Sequence, residues 1–113
     1  DIVLARKVLK KHIIGITCHN SKKLIKKAIK NKASYIALGA FFSTKTKRAK
    51  YKASIKVLNW AKKTTNIPIV AIGGIKLNNY KKLLLNKANF LAISGYIWNN
   101  KKYRPIEALE KLK

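Results

Sequence analysis

The chain has 113 residues, 48% of them hydrophobic, and sets 27 Lys and Arg against three acids for a formal charge of +24. That length allows one domain with one core, and the hydrophobic share is too high for a disordered tail. No apolar run approaches the roughly 18–20 residues of a membrane-spanning helix, and a single cysteine, Cys18, excludes an internal disulfide framework.

Residues 2–10 predict an amphipathic helix carrying Val3, Leu4, Val8 and Leu9. The chain opens at Asp1 without a Met or a signal-like leader. Its start is therefore expected to be internal, residues 1–113 are expected to be one partial domain, and a reducing cytoplasm is the expected location. Residues 12–17, HIIGIT, predict the first buried strand, which ends in Thr17-Cys18-His19-Asn20. Adjacent residues on a strand end point apart, so Cys18 is expected to be buried filler rather than a nucleophile served by His19. Thr17 is the polar group expected to meet a ligand.

Residues 21–31 predict the second helix, with Leu24, Ile25, Ala28 and Ile29 as its stripe and Asn20 or Ser21 as its cap. Residues 35–39, YIALG, predict the second strand. It leads toward Thr44-Lys45-Thr46-Lys47, whose hydroxyls and ammoniums are the donors that phosphate oxygens require. Residues 54–65 form the third predicted helix, stopped by Asn66-Ile67-Pro68 because the residue before proline avoids the helical region. Residues 69–73, IVAIG, predict the third strand. Gly73 and Gly74 after it let the backbone approach a ligand and offer N–H groups to a phosphate. A helix is expected at 78–86, a fourth strand, FLAIS, at 90–94 ending in Ile93-Ser94, and a last helix at 104–113 with Pro105 in its first turn.

Short, near-continuously apolar strands alternating with amphipathic helices indicate parallel strands buried on both faces. Four such strands make either an open α/β sheet or the C-terminal half of a TIM (β/α)8 barrel. In both, ligands sit at the carboxyl ends of the strands. In the barrel reading Gly73-Gly74 follows strand seven and Ser94-Gly95 follows strand eight, the positions where barrels often hold phosphate.

The charge admits two explanations. A basic surface gains affinity for nucleic acid by releasing counterions. Here, however, the basic residues are nearly all Lys, spread over every predicted helix, and Arg, the favoured base reader, occurs three times. Lys, Asn and Ile share A/T-rich codons, so compositional drift is the preferred account. A field of this sign should in either case steer phosphorylated ligands.

Taken together, these segments resemble thiamine phosphate synthase, of the thiamine monophosphate synthase and TenI superfamily. The resemblance is carried by Ile14-Gly15-Ile16-Thr17-Cys18-His19, by Thr44-Lys45-Thr46-Lys47, by the run from Ile67-Pro68 to Ala71-Ile72-Gly73-Gly74-Ile75, and by Leu91-Ala92-Ile93-Ser94. It departs from the family at Thr17, where Ser is usual, at Ser43, where Pro is common, and at Ala53, where Gly is frequent. The resemblance implies a transferase that joins hydroxymethylpyrimidine pyrophosphate to thiazole phosphate with release of pyrophosphate and the help of Mg2+. It places Thr17 near the pyrimidine and Lys47 on the pyrophosphate as the catalytic cation. Thr44, Thr46, Gly73, Gly74, Ile93 and Ser94 would hold the thiazole phosphate, and Asp1 would be a Mg2+ carboxylate.

The partners so implied are phosphorylated small molecules, with no specific nucleic acid and no membrane. A second copy or a missing N-terminal half would cover the open sheet edges. One alternative is the thiazole tautomerase branch, which shares the Gly-Gly and Ser-Gly endings but generally lacks the Thr-x-Thr-Lys loop. The alternative from another class is a basic nucleic-acid-binding module, for which the sequence shows no aromatic residues interleaved with a basic stripe.

Overall fold

Strand pairing decides where each apolar run becomes a strand. The computed structural model describes residues 1–42 and 53–113. Its elements are α1 (Ile2–Leu9), β1 (Gly15–His19), α2 (Lys22–Lys30), β2 (Tyr35–Leu38), α3 (Ile55–Thr64), β3 (Ile69–Ile72), α4 (Tyr80–Leu85), β4 (Phe90–Ala92), α5 (Gly95–Trp98) and α6 (Pro105–Lys111). The strands form one parallel sheet in the order β1-β2-β3-β4. Four parallel strands alternating with helices is the architecture expected from the apolar runs.

Register sorts the side chains into two faces. Ile16, Ile36 and Ile69 lie side by side across three strands, as do Leu38, Ala71 and Leu91. These rows meet Ile25 and Ala28 of α2, Val57, Leu58 and Ala61 of α3, and Leu83 of α4 in the core between sheet and helices. The opposite face carries the row Thr17, Ala37, Val70 and Phe90. Phe90 is 60% exposed there, and Thr17 is exposed as well. Apolar residues on the outermost helices are also uncovered, among them Leu4 and Val8 of α1 and Ile106 of α6.

The first strand is displaced from its expected place. It runs from Gly15 to His19 rather than over 12–17, and Ile13 is 81% exposed. Pairing begins only where β2 can answer, at Gly15 beside Tyr35, and a bulge between Thr17 and His19 carries the strand two residues further. The helices match their expected spans to within one or two residues at each end. Ser21 rather than Asn20 caps α2, accepting from Leu24 N–H at 3.1 Å. Helix α4 starts at Tyr80 rather than 78, because Asn79 uses its side chain on the preceding loop and makes no cap bond. The four-residue α5 lies in a stretch where no element was expected.

The N-terminal ends of the strands are tied by side chains. The Arg6 guanidinium donates to the carbonyls of Lys10, His12 (2.8 Å) and Lys32 (2.7 Å) and to Ser34 Oγ (3.3 Å). Ser34 Oγ in turn accepts from Ile14 N–H at 2.9 Å. Across the sheet, Asn89 Oδ1 accepts from Ile69 N–H (2.9 Å) and Lys62 Nζ (2.7 Å). No helix among the described residues is long and apolar enough to cross a membrane.

Candidate functional site

Among the described residues, Gly73, Gly74, Ile93 and Ser94 lie at the carboxyl ends of β3 and β4, and Thr17 lies toward that end of β1. Thr17 stands exposed on the face of β1 that looks away from the helices. Its neighbour Cys18 points the other way and is fully buried, and burial pushes its thiol up to about 11. A buried thiol raised in this way agrees with the expected filler role. His19 follows with a φ of 53° and is half-buried.

The loop after β2 is fastened to its surroundings at both ends. Phe41 N–H donates to Ile72 C=O and Phe42 N–H to Gly73 C=O, each at 3.1 Å. On the far side Ala53 N–H donates to Ala40 C=O at 2.9 Å, and Ser54 N–H donates to Asn20 Oδ1 at 3.0 Å. Asn20 thus binds the end of β1 to the start of α3 instead of capping α2. Thr44, Thr46 and Lys47, together with Ser43 and Lys45, lie outside the described residues.

After β3 the chain turns through two residues of positive φ, Gly73 at 100° and Gly74 at 63°. At Gly73 a side chain is excluded twice over. The backbone angle disfavours it, and an added Cβ would stand 2.3 Å from Ala40 Cβ and 2.6 Å from Ala40 Cα. The following carbonyl, that of Gly74, accepts from Asn79 Nδ2 at 3.0 Å, while Asn79 Oδ1 accepts from Lys76 N–H at 2.8 Å. Ile93 is half-buried and packs against the core, and Ser94 is exposed at the start of α5. The Ser94 side chain makes no cap bond. The N–H groups of a helix's first turn have no partner within the helix, so this strand end offers donors from both side chain and backbone. Because β3 and β4 are adjacent, the Gly73-Gly74 turn and Ser94 occupy neighbouring strand ends. Thr17 belongs to β1, at the far edge of the sheet.

The Asp1 carboxylate is engaged at the start of the first helix. Its Oδ1 caps α1, accepting from Val3 N–H at 2.7 Å and Leu4 N–H at 3.4 Å, and its Oδ2 lies 3.8 Å from Lys27 Nζ. Glu107 and Glu110 pair with Arg104 and Lys113 on α6. No three His, Cys, Asp or Glu side chains among the described residues gather where they could hold a metal ion. The residues present therefore do not fit a Mg2+ site by themselves.

The chain as a whole sets 27 basic side chains against three acids, a balance that favours anionic ligands. The fold also does something the sequence did not show. It lays Lys22 and Lys26 of α2 over the Trp60 ring of α3, at 5.2 and 5.9 Å from its centroid. One aromatic residue is thus set among lysines on the helical layer, at a contact that fastens α2 to α3.

Comparison with known proteins adds three findings. A family model described as thiamine monophosphate synthase matches residues 1–97. The chain is 70% identical over all of its 113 residues to a thiamine-phosphate synthase of Pelagibacter ubique, covering 55% of that protein. It is 42% identical over 88 residues, 78% of its length, to a thiamine-phosphate synthase of Rhodospirillum centenum, covering 42% of that protein. The chain therefore spans about half the length of the curated relatives it matches. Among solved structures, a thiamine phosphate pyrophosphorylase from Pyrococcus furiosus superposes with a TM-score of 0.80 at 24% identity, over 99% of this chain and 52% of that one. A 3-hexulose-6-phosphate synthase superposes with a TM-score of 0.62 at 17% identity. These likenesses agree with the expected fold, four parallel strands alternating with helices as in half of a TIM-barrel-like chain.

Proposed function

The chain belongs to the thiamine monophosphate synthase family, and on that premise we propose that, in the complete protein, it supplies the phosphate-holding half of a thiamine phosphate synthase. The substrates would be hydroxymethylpyrimidine pyrophosphate and thiazole phosphate. The bond from the pyrimidine methylene carbon to the pyrophosphate oxygen breaks, and the electron pair leaves with pyrophosphate. The thiazole nitrogen then attacks the stabilised cation to form the new carbon–nitrogen bond. This chemistry asks for cations and hydrogen-bond donors around the departing charge and for a site that keeps water out, rather than for acid–base machinery. A chain with three carboxylates and 27 cationic side chains is suited to it.

The observation that carries this reading is the pair of adjacent strand ends, Gly73-Gly74 and Ile93-Ser94, offering backbone and hydroxyl donors with no acidic residue among them. In the proposed assignment these residues hold the thiazole phosphate together with Thr44 and Thr46, Lys47 meets the pyrophosphate, and Thr17 meets the pyrimidine. Mg2+ would supply further charge neutralisation. Since the residues present do not form a site for it, no step is assigned to Asp1. A cytoplasmic location fits these substrates and the lone buried cysteine.

The test is formation of thiamine phosphate and pyrophosphate by the complete protein, supplied with both substrates and Mg2+. Thiazole tautomerisation without any synthase turnover would move the assignment to the tautomerase branch.

A further inference from the structure

The Gly73-Gly74 turn has a side-chain partner that the motif does not announce. In a trans peptide the C=O and the following N–H point in opposite directions, so whatever grips a carbonyl also aims the next N–H. The carbonyls of Ile72 and Gly73 are gripped by Phe41 N–H and Phe42 N–H. That of Gly74 is gripped by the Asn79 amide at 3.0 Å. Three successive carbonyls are thereby turned toward protein donors, and the N–H groups of Gly74 and Ile75 are turned away from them.

The third of these peptides is the vulnerable one. Glycine at a φ of 63° has little intrinsic preference between orientations, and a flipped 74–75 peptide would present a carbonyl oxygen where an anion needs a donor. Asn79 opposes the flip from a fixed position, since its own Oδ1 is held by Lys76 N–H at 2.8 Å. It makes no cap bond to α4, so its side chain is committed to the loop.

We infer that Asn79 is a positioning residue for phosphate, locking the 74–75 peptide so that the Ile75 N–H faces the ligand; this rests on the proposed reading of Gly73-Gly74 as part of the thiazole phosphate site. Asn79 touches no substrate and acts through the backbone it holds.

The experiment compares three variants of the complete protein. Asn79→Ala is expected to raise KM for thiazole phosphate about tenfold, the scale of one lost hydrogen bond, with kcat changed by less than about threefold and KM for the pyrimidine pyrophosphate unchanged. Asn79→Asp keeps the acceptor for Lys76 N–H and loses the donor to Gly74, so it should bind thiazole phosphate no better than Asn79→Ala. Asn78→Asp brings the same charge one residue away and should stay near the parent. Inorganic phosphate, titrated against the amide resonance of Ile75, gives a readout independent of turnover. Phosphate should shift that resonance in the parent and do so much more weakly in Asn79→Ala. If the complete protein has no synthase activity but this phosphate result holds, the functional reading fails and the role of Asn79 stands. Full rescue of phosphate affinity by Asn79→Asp, equal losses in Asn79→Asp and Asn78→Asp, or a parallel fall in kcat and in affinity for both substrates would each overturn the inference.

Discussion

At the N-terminal ends of the strands, polar groups bond to one another; at the C-terminal ends, they are bonded on one side and open on the other. Arg6 alone gathers three carbonyls and the Ser34 hydroxyl at the first end, and Asn89 joins Ile69 to Lys62. The second end uses equally polar residues differently. Asn20 and Asn79 grip the backbone of loops, while Thr17 and Ser94 remain exposed and two glycines turn the chain through positive φ. The contrast teaches that hydrogen bonds satisfied within the protein supply stability, and donors left facing outward supply binding. Substitutions at the two ends should accordingly fail in different assays.

The largest effect is expected at Lys47, which the resemblance places after the second strand. In the complete protein Lys47→Ala should lower turnover by roughly 10²–10³-fold, the scale of one preorganised electrostatic donor. Lys45→Ala should change it by less than about threefold, or under about 0.7 kcal/mol. Steady-state kinetics on both variants decides the matter. Equal losses would mean that general positive charge, not a placed ammonium, is responsible.

Cys18 sharpens the comparison from inside, being a buried side chain at the functional end. Its thiol is pushed up to about 11 from an ordinary 9.0 by burial, so at pH 8 its thiolate is about 100-fold scarcer than that of an ordinary cysteine. Iodoacetamide should therefore label it at least that much more slowly in the folded protein than in urea. The sign of the linkage follows. The folded state prefers the protonated thiol, so the contribution to stability is complete below about pH 9 and is lost as pH rises toward 11. Urea midpoints at pH 8 and 10.5 would measure the loss.

Arg6→Ala tests the opposite end. Bonds from a charged donor are worth more than neutral ones, but this guanidinium is half-exposed and its buried Nε has no partner among the described residues. A loss of about 2–3 kcal/mol is expected, read from urea unfolding of the complete protein, with both KM values unchanged. Altered KM values in a variant that still folds would erase the distinction between the two ends. The smallest effect is that of Ser94→Ala. A phosphate that keeps its charge through the reaction is held equally in ground and transition states, so KM for thiazole phosphate should rise about tenfold while kcat holds. A fall in kcat at constant KM would instead put Ser94 in contact with the breaking bond.

How much of this could be read from the sequence depended on range. The strands and their order were legible because burial on both faces writes a local signature, such as IVAIG closed by glycine. A turn at Gly73-Gly74 was legible from the two glycines that close the strand. Strand β1 was misplaced by two or three residues because the apolar run marks hydrophobicity and pairing marks the strand; Ile13 is apolar yet exposed. The Arg6 clamp was invisible. It reaches Lys32 and Ser34, far along the chain, and Arg6 is one of 27 basic residues. Asn20 looked like a cap residue, which is what asparagine near a helix start usually signals, and Asn79 fell inside a predicted helix. Asp1 was read through a family pattern, and that pattern gave no sign that its carboxylate caps α1. The pairing of Trp60 with Lys22 and Lys26 spans two helices and has no local trace.

The strict order β1-β2-β3-β4 makes the sheet a ruler. Neighbouring parallel strands are separated by a fixed interval of about 4.8 Å, so the end of β1 and the end of β4 stand at most about 14 Å apart. Side-chain replacement can alter what each mark on that scale prefers, but not the distance between marks. Under the proposed assignment, a ligand at Thr17 and a ligand at Ser94 would have to bridge that distance between them to react. Their combined length is thus limited by backbone spacing before any specific contact is made.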